Sequence, residues 1–236
     1  MHLFIRYFLI CLTSLSSMVV YAQTSDDPLT FDLHFAVITK NVDAHRIASL
    51  EQLKKEVDIL NMYFVAENRK AIVKFRFKSA AFYNEIRNSD CEFVKLGDAT
   101  SPYDSDRGAA LFNACNDLRV RDPRAINFYI YDSYAPRIGF SDTTSHGRRN
   151  ANRPYVLIDW ERLNHSDQSA EEHEMGHAFG LYHECVPGAT RGTSTNIMAS
   201  ADCGKGSGGR RDIGFNALQV RTILDFARQI RARLKK

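Results

Sequence analysis

Three histidines and one glutamate carry the chemistry that is legible in this sequence. His173 and His177 stand four positions apart. On a helix they share one face, about 40° apart around the axis and about 6 Å along it. Two imidazoles so spaced can grip one tetrahedral metal ion. Glu174 is offset by one position, so it does not bind with the pair but can reach a water beside the metal and act as general base. Gly180 comes three residues after His177, where a helix end favours a left-handed residue. That turn lets His183 swing back as a third nitrogen ligand. Three protein ligands leave one position for water, which marks a catalytic rather than a structural zinc site.

A bare H-E-x-x-H arises by accident on many amphipathic helices. Three His, one Glu and one Gly fixed over the eleven residues from His173 to His183 are more specific. Ordinary residue frequencies give a chance match in a chain of this size at roughly 10⁻⁵ to 10⁻⁴. The remaining histidines, His34, His45, His146 and His165, are isolated and read as structural or exposed, and Trp160 reads as core.

Elements that could position the site follow from periodicity. Ser169 and Glu172 form a capping box, which predicts a helix running to Phe179. Residues 29–39 alternate as a strand with Phe31, Leu33, Phe35 and Val37 on one side. Residues 44–64 place Ile47, Leu50, Leu53, Val57, Leu60 and Phe64 at helical spacing. Strands are expected at 71–77, 125–133 and 155–163, a helix at 106–118, and an edge strand near Ile138 to Thr143 within a loop-rich stretch. Past Gly180 the chain is rich in glycine, and only 215–234 reads as a helix. The expected class is α+β: a mixed sheet backed by helices, with a small loop-rich C-terminal lobe closed by a helix. The division is an N-terminal lobe, 23–180, and a C-terminal lobe, 181–236.

The segment HEMGHAFGLYH resembles the signature H-E-x-x-H-x-x-G-x-x-H of metzincin zinc metalloproteases. The resemblance implies a zincin-like fold, with a twisted five-stranded sheet, a backing helix and the active-site helix. It implies one catalytic Zn²⁺ held by His173, His177 and His183, with Glu174 as base. It also implies a methionine turn at Asn196-Ile197-Met198-Ala199, whose Met198 is an apolar floor under the imidazoles rather than a ligand. An extended protein or peptide substrate would add to the antiparallel edge strand, near Ile138 to Thr143. Glu184 after the third His resembles astacins, although Ser200 stands where those carry Tyr. The Gly-Leu-Tyr-His stretch and the cysteines beyond it look more like pappalysins. Calcium is not indicated.

Met1 to Ala22 has one Arg, a short apolar run and Val20-Tyr21-Ala22 at its end, the pattern of a cleaved secretory signal peptide. Its apolar core carries Thr and Ser and is short for a membrane span. Residues 23–236 would then be the exported catalytic domain, secreted or periplasmic. Four cysteines remain there, Cys91, Cys115, Cys185 and Cys203, with three connectivities open to them. The local pairs Cys91–Cys115 and Cys185–Cys203 are the expected ones. A net charge of +3 is too small to imply nucleic acid, and the eight Arg/Lys against two Asp from Arg210 to Lys236 read as a solvated helix face. The function these features predict is a zinc-dependent metalloendopeptidase. The competing reading is a catalytically silent zinc-binding interaction or toxin-like protein, against which the intact Glu174 speaks. The sequence is silent on oligomeric state.

Overall fold

The computed structural model describes residues 27–133, 143–163, 170–201 and 207–235. The expected leader 1–22, the N-cap Ser169, His165, Cys203 and most of the stretch expected as an edge strand (138–142) lie outside them. Five strands form one sheet in the order β2-β1-β3-β5-β4. These are β1 (Leu29–Val37), β2 (Val73–Ala81), β3 (Ile126–Tyr131), β4 (Ser145–Arg148) and β5 (Tyr155–Asp159). β1 pairs in parallel with β2 and β3, and β3 with β5, while β4 runs antiparallel to β5 at the edge. This is the mixed sheet the sequence predicts, built into an α+β domain.

Both faces of the sheet are covered, so β3 and β5 are buried along their whole length and read as continuous apolar runs rather than alternating ones. On one face Phe31, Leu33, Phe35 and Val37 of β1 join Phe128, Ile130, Val156 and Ile158. They pack under α2 (Leu50–Tyr63), α5 (Ala170–Ala178) and α6 (Ala217–Leu234). On the other face Tyr129, Tyr131, Tyr155 and Leu157 meet Phe93 and Phe112, the latter on α4 (Ser105–Ala114). Cys91 and Cys115 are bonded within that second cluster, as the local pairing predicts. Trp160 packs, partly buried, against the first.

One expectation needs correction. The helix expected over 44–64 is two helices, α1 (Val42–Ile47) and α2. Ser49 breaks it by accepting a hydrogen bond from the Gln52 amide, which caps α2, and Leu50 is left largely exposed. Among the described residues the antiparallel edge strand is Ser145–Arg148; the stretch expected near Ile138 to Thr143 lies, but for Thr143, outside them. Both Glu172 oxygens are buried and without a hydrogen-bond partner among the described residues, which do not include Ser169. No helix among the described residues is long and apolar enough to cross a membrane.

The Cys91–Cys115 bond closes a loop of 24 residues in the unfolded chain. Loop-closure entropy then predicts that the Cys91→Ala, Cys115→Ala double variant loses about 3 kcal/mol of stability. Urea unfolding measures it. A midpoint unchanged from that of the oxidised parent would show that the bond constrains nothing that folding must order.

Candidate metal centre

Helix α5 is buried on nearly every side: Ala170 to Gly176 and Ala178 are all buried residues. It is therefore a central element lodged between β4, β5 and α2 rather than an amphipathic surface helix. Its end is set by Gly180, with φ of +86°. The Gly180 amide donates to His177 O at 2.9 Å and the Leu181 amide to Gly176 O at 3.0 Å. Those two bonds make a Schellman turn, which requires the left-handed residue the sequence places there.

The turn brings His183 back to the helix. Ligand nitrogens of His173, His177 and His183 all lie within 4.8 Å of one another, the arrangement of side chains that can hold a metal ion. Ring centroids stand 4.7 to 5.1 Å apart. His173 Nε2 and His177 Nε2 are 3.2 Å apart. Two nitrogens bound at about 2.0–2.1 Å to one tetrahedral zinc stand about 3.3–3.4 Å apart, so the pair fits such an ion.

The outward nitrogens settle which tautomer is presented. His173 Nδ1 is 2.7 Å from Ile197 O, and His177 Nδ1 is 2.7 Å from Leu181 O. Each carbonyl can only accept, so each Nδ1 carries the proton and each Nε2 turns a lone pair inward. Burial lowers the pKa of both imidazoles, that of His177 to about 4, which keeps them neutral and fit to ligate.

Below the helix the segment around Met198 is pinned from three directions. The Met198 amide donates to Asn196 Oδ1 at 2.8 Å, and Met198 O accepts from the Glu184 amide at 2.7 Å. Asn196 in turn exchanges hydrogen bonds with the Gln219 side chain of α6, at 2.9 and 3.0 Å, and Gln219 also donates to Glu184 Oε2. Met198 is fully buried. A Cβ built on Gly176, the residue before His177, would sit 2.4 Å from the Met198 sulfur. Ser200 lies two residues on and lines the same cleft.

Glu174 is also where α5 touches the sheet edge. A Cβ on Gly147 of β4 would fall 1.7 Å from Glu174 O, so only glycine lets the strand come this close. Burial raises the Glu174 pKa to about 7, while Arg211, the Gly147 amide, Arg162 and Arg148 all pull it down. The group is poised near neutrality, as a general base should be. The four residues open into a cleft of about 1160 Å³ between β4 and the C-terminal segment.

Of the other histidines, His34 is buried between Ser79 Oγ and Arg119 O, and His45 contacts Thr39 O, both structural. His146 differs from expectation: it lines the cleft, stacked at 4.4 Å on Tyr103, and burial lowers its pKa to about 4. Gly147, Gly176 and the cleft arginines went unread in the sequence. A four-residue strand is too short to show a period, and Gly176 is a variable position of the signature. No protein-family model matches the chain, and no curated protein matches it in sequence.

The two glycines differ in what they face, which ranks their variants. Gly147→Ala meets backbone and forces strand and helix apart; Gly176→Ala meets a flexible thioether that can turn aside. Overpacking costs about 1–3 kcal/mol, with Gly147→Ala at or beyond the upper end and Gly176→Ala near the lower. Denaturant unfolding with zinc titration of each variant tests this. Equal losses, or the reverse order, would contradict the close approach of β4 to α5.

Proposed function

We propose that this chain is a zinc-dependent metalloendopeptidase of the metzincin type, exported through its N-terminal leader to the periplasm or the exterior. The observation that carries the reading is the convergence of three histidine nitrogens beside a buried carboxylate in a cleft lined by the edge strand β4. Two of the imidazoles have their tautomers fixed by carbonyls, the ligand chemistry zinc favours. The order of strands, with an antiparallel edge next to the active-site helix, supports the same family, as does Met198 packed against α5 at Gly176. The Cys91–Cys115 bond fits an oxidising compartment.

Held by His173, His177 and His183, a zinc ion supplies Lewis acidity to a water and to a carbonyl. The chain's own residues do the rest. An extended peptide would add alongside the edge strand β4, which would present the scissile bond to the foot of the cleft. Glu174 takes a proton from the attacking water and passes it to the leaving nitrogen. Its burial strengthens it as a base, and the Gly147 amide keeps the carboxylate aimed. The Ile197 and Leu181 carbonyls hold His173 and His177 in place while charge develops. One residue favours the alternative of a silent zinc-binding protein: Ser200, where an astacin-like enzyme carries a tyrosine.

Hydrolysis of a quenched-fluorescent peptide mixture by the zinc-loaded protein separates the two. Expected is turnover that a chelator removes and zinc restores. Glu174→Gln should keep one zinc per chain and lose about 10²–10⁴-fold in kcat/KM. Activity should rise with pH through an acidic limb centred no higher than about 7, because Glu174 works only when ionised and added positive charge lowers its value further. Turnover by Glu174→Gln at the parent rate would remove the assignment. No turnover by the zinc-loaded parent would favour the silent protein.

A further inference from the structure

The capping box that starts α6 is closed by Gln219, although its geometry would accept a glutamate equally well. Asn216 is the N-cap, and its side chain takes the Leu218 and Gln219 amides. Gln219 Oε1 returns the favour by accepting the Asn216 amide at 2.9 Å. A glutamate at this third helical position completes such a box in the same way. What only glutamine supplies is the other half of the group, the two N–H donors of Nε2. They go to Glu184 Oε2 and Asn196 Oδ1, each at 3.0 Å.

Backbone groups leave the two carboxamides a single orientation. The Met198 and Asn216 amides can only donate, and Gly214 O can only accept. Asn196 Oδ1 therefore faces Met198, Asn196 Nδ2 faces Gly214 at 3.1 Å, and Gln219 Oε1 faces Asn216. Asn196 Nδ2 also donates to Gln219 Oε1 at 2.9 Å, which closes a reciprocal pair. Each carboxamide thus uses both of its N–H groups and both of its lone pairs. Asn196 is 7% exposed, so water has little access to replace a lost partner. The pair meets the metal centre at two points. Asn196 precedes Ile197, whose carbonyl receives His173, and Glu184 directly follows the third ligand, His183. His173 and His177 stand on α5, held by the helix itself. His183 instead precedes a two-residue strand, Glu184–Cys185, paired with Ala199–Ser200, and so short a ladder is weak alone. The Glu184 carboxylate adds a tie from that segment to α6.

We propose that Gln219 is a positioning residue of the metal centre, holding the third ligand, His183, in register with the floor at Met198 through Glu184 and Asn196. This rests on the zinc-ligand role proposed for the three histidines, whatever the site hydrolyses.

The test measures zinc affinity of the full chain by competition with a chromophoric chelator, alongside urea unfolding of the zinc-free form. Gln219→Glu keeps the cap but loses both donors and sets a carboxylate against Glu184. It should weaken zinc binding about 10–100-fold, the range for partners that orient a ligand. Glu184→Ala leaves the cap and the carboxamide pair intact and should weaken it at least about tenfold. Glu184→Gln should lose less than Glu184→Ala, because its oxygen can still accept. Added to Gln219→Glu, the same Glu184→Gln change reverses the direction of the bond and should recover part of the loss. Parent zinc affinity in Gln219→Glu, with the zinc-free form destabilised, would make Gln219 a structural residue only and overturn the inference. If that variant does not fold, parent affinity in Glu184→Ala overturns it equally. A parent chain that binds no zinc would instead sink the metal reading, and this inference with it.

Discussion

The centre depends on the hydrogen bonds that the Ile197 and Leu181 carbonyls accept from His173 and His177. A histidine on a helix can offer either nitrogen, and without an outer partner the two rings would sample several rotamers. The carbonyls remove that freedom, and each arrives by a different route. Leu181 O is placed locally, by the left-handed turn at Gly180. Ile197 O is placed at long range. Its segment is bonded through the Ile197 amide to Ile213 O, and its neighbour Asn196 is locked to Gln219 on α6. The terminal helix, more than forty residues from His173 in sequence, therefore takes part in aiming it.

The same interdependence appears in the packing. Phe179 at the end of α5 lies 5.4 Å from Phe31 and 5.7 Å from Phe64, and Phe64 in turn lies 4.7 Å from Phe215. Residues before and after Gly180 share one core: Met175, Ala178 and Phe179 with Ile197, Met198, Phe215 and Ile223. Interiors this dense resist small displacements, so the ligands from the helix and the one after the turn are held to a common frame. Geometry of this kind is what water activation needs, since a general base works only within hydrogen-bond reach.

How much of this could be read beforehand varied with the range of the interaction responsible. The histidine spacing, Gly180 and the strand runs of β1, β3 and β5 are local patterns, and the sequence displays them directly. The break at Ser49 is local too, but helical periodicity continues across it and hides the cap. What sequence could not display were contacts whose partners are distant. Gly147 matters only because Glu174 of another element comes against it. Gly176 matters only because Met198 lies beneath. His146 and the arginines became site residues when the sheet edge and the C-terminal segment closed on one cleft. Arg149 and Arg211 are unremarkable as letters and informative only as neighbours.

Three carboxyls on α5 show how far such neighbours decide chemistry. Glu171, Glu172 and Glu174 are all buried on the same two turns, and burial pushes each pKa upward. Glu171 and Glu172 have no hydrogen-bond partner among the described residues, and each feels the charge of Glu56 as well. Both are therefore driven toward the neutral form, and give up the favourable interaction that a negative charge has with a helix N-terminus. Glu174 faces the arginines and the Gly147 amide instead, which draw its pKa back to about 7. Of the three it is the one placed to be ionised near neutrality, and positive charge at the histidines would carry it further in that direction. The arginines thus favour the charged form of Glu174, the form that the proposed hydrolysis would need. Removing one would raise the pKa of Glu174 and leave less of it ionised at a given pH.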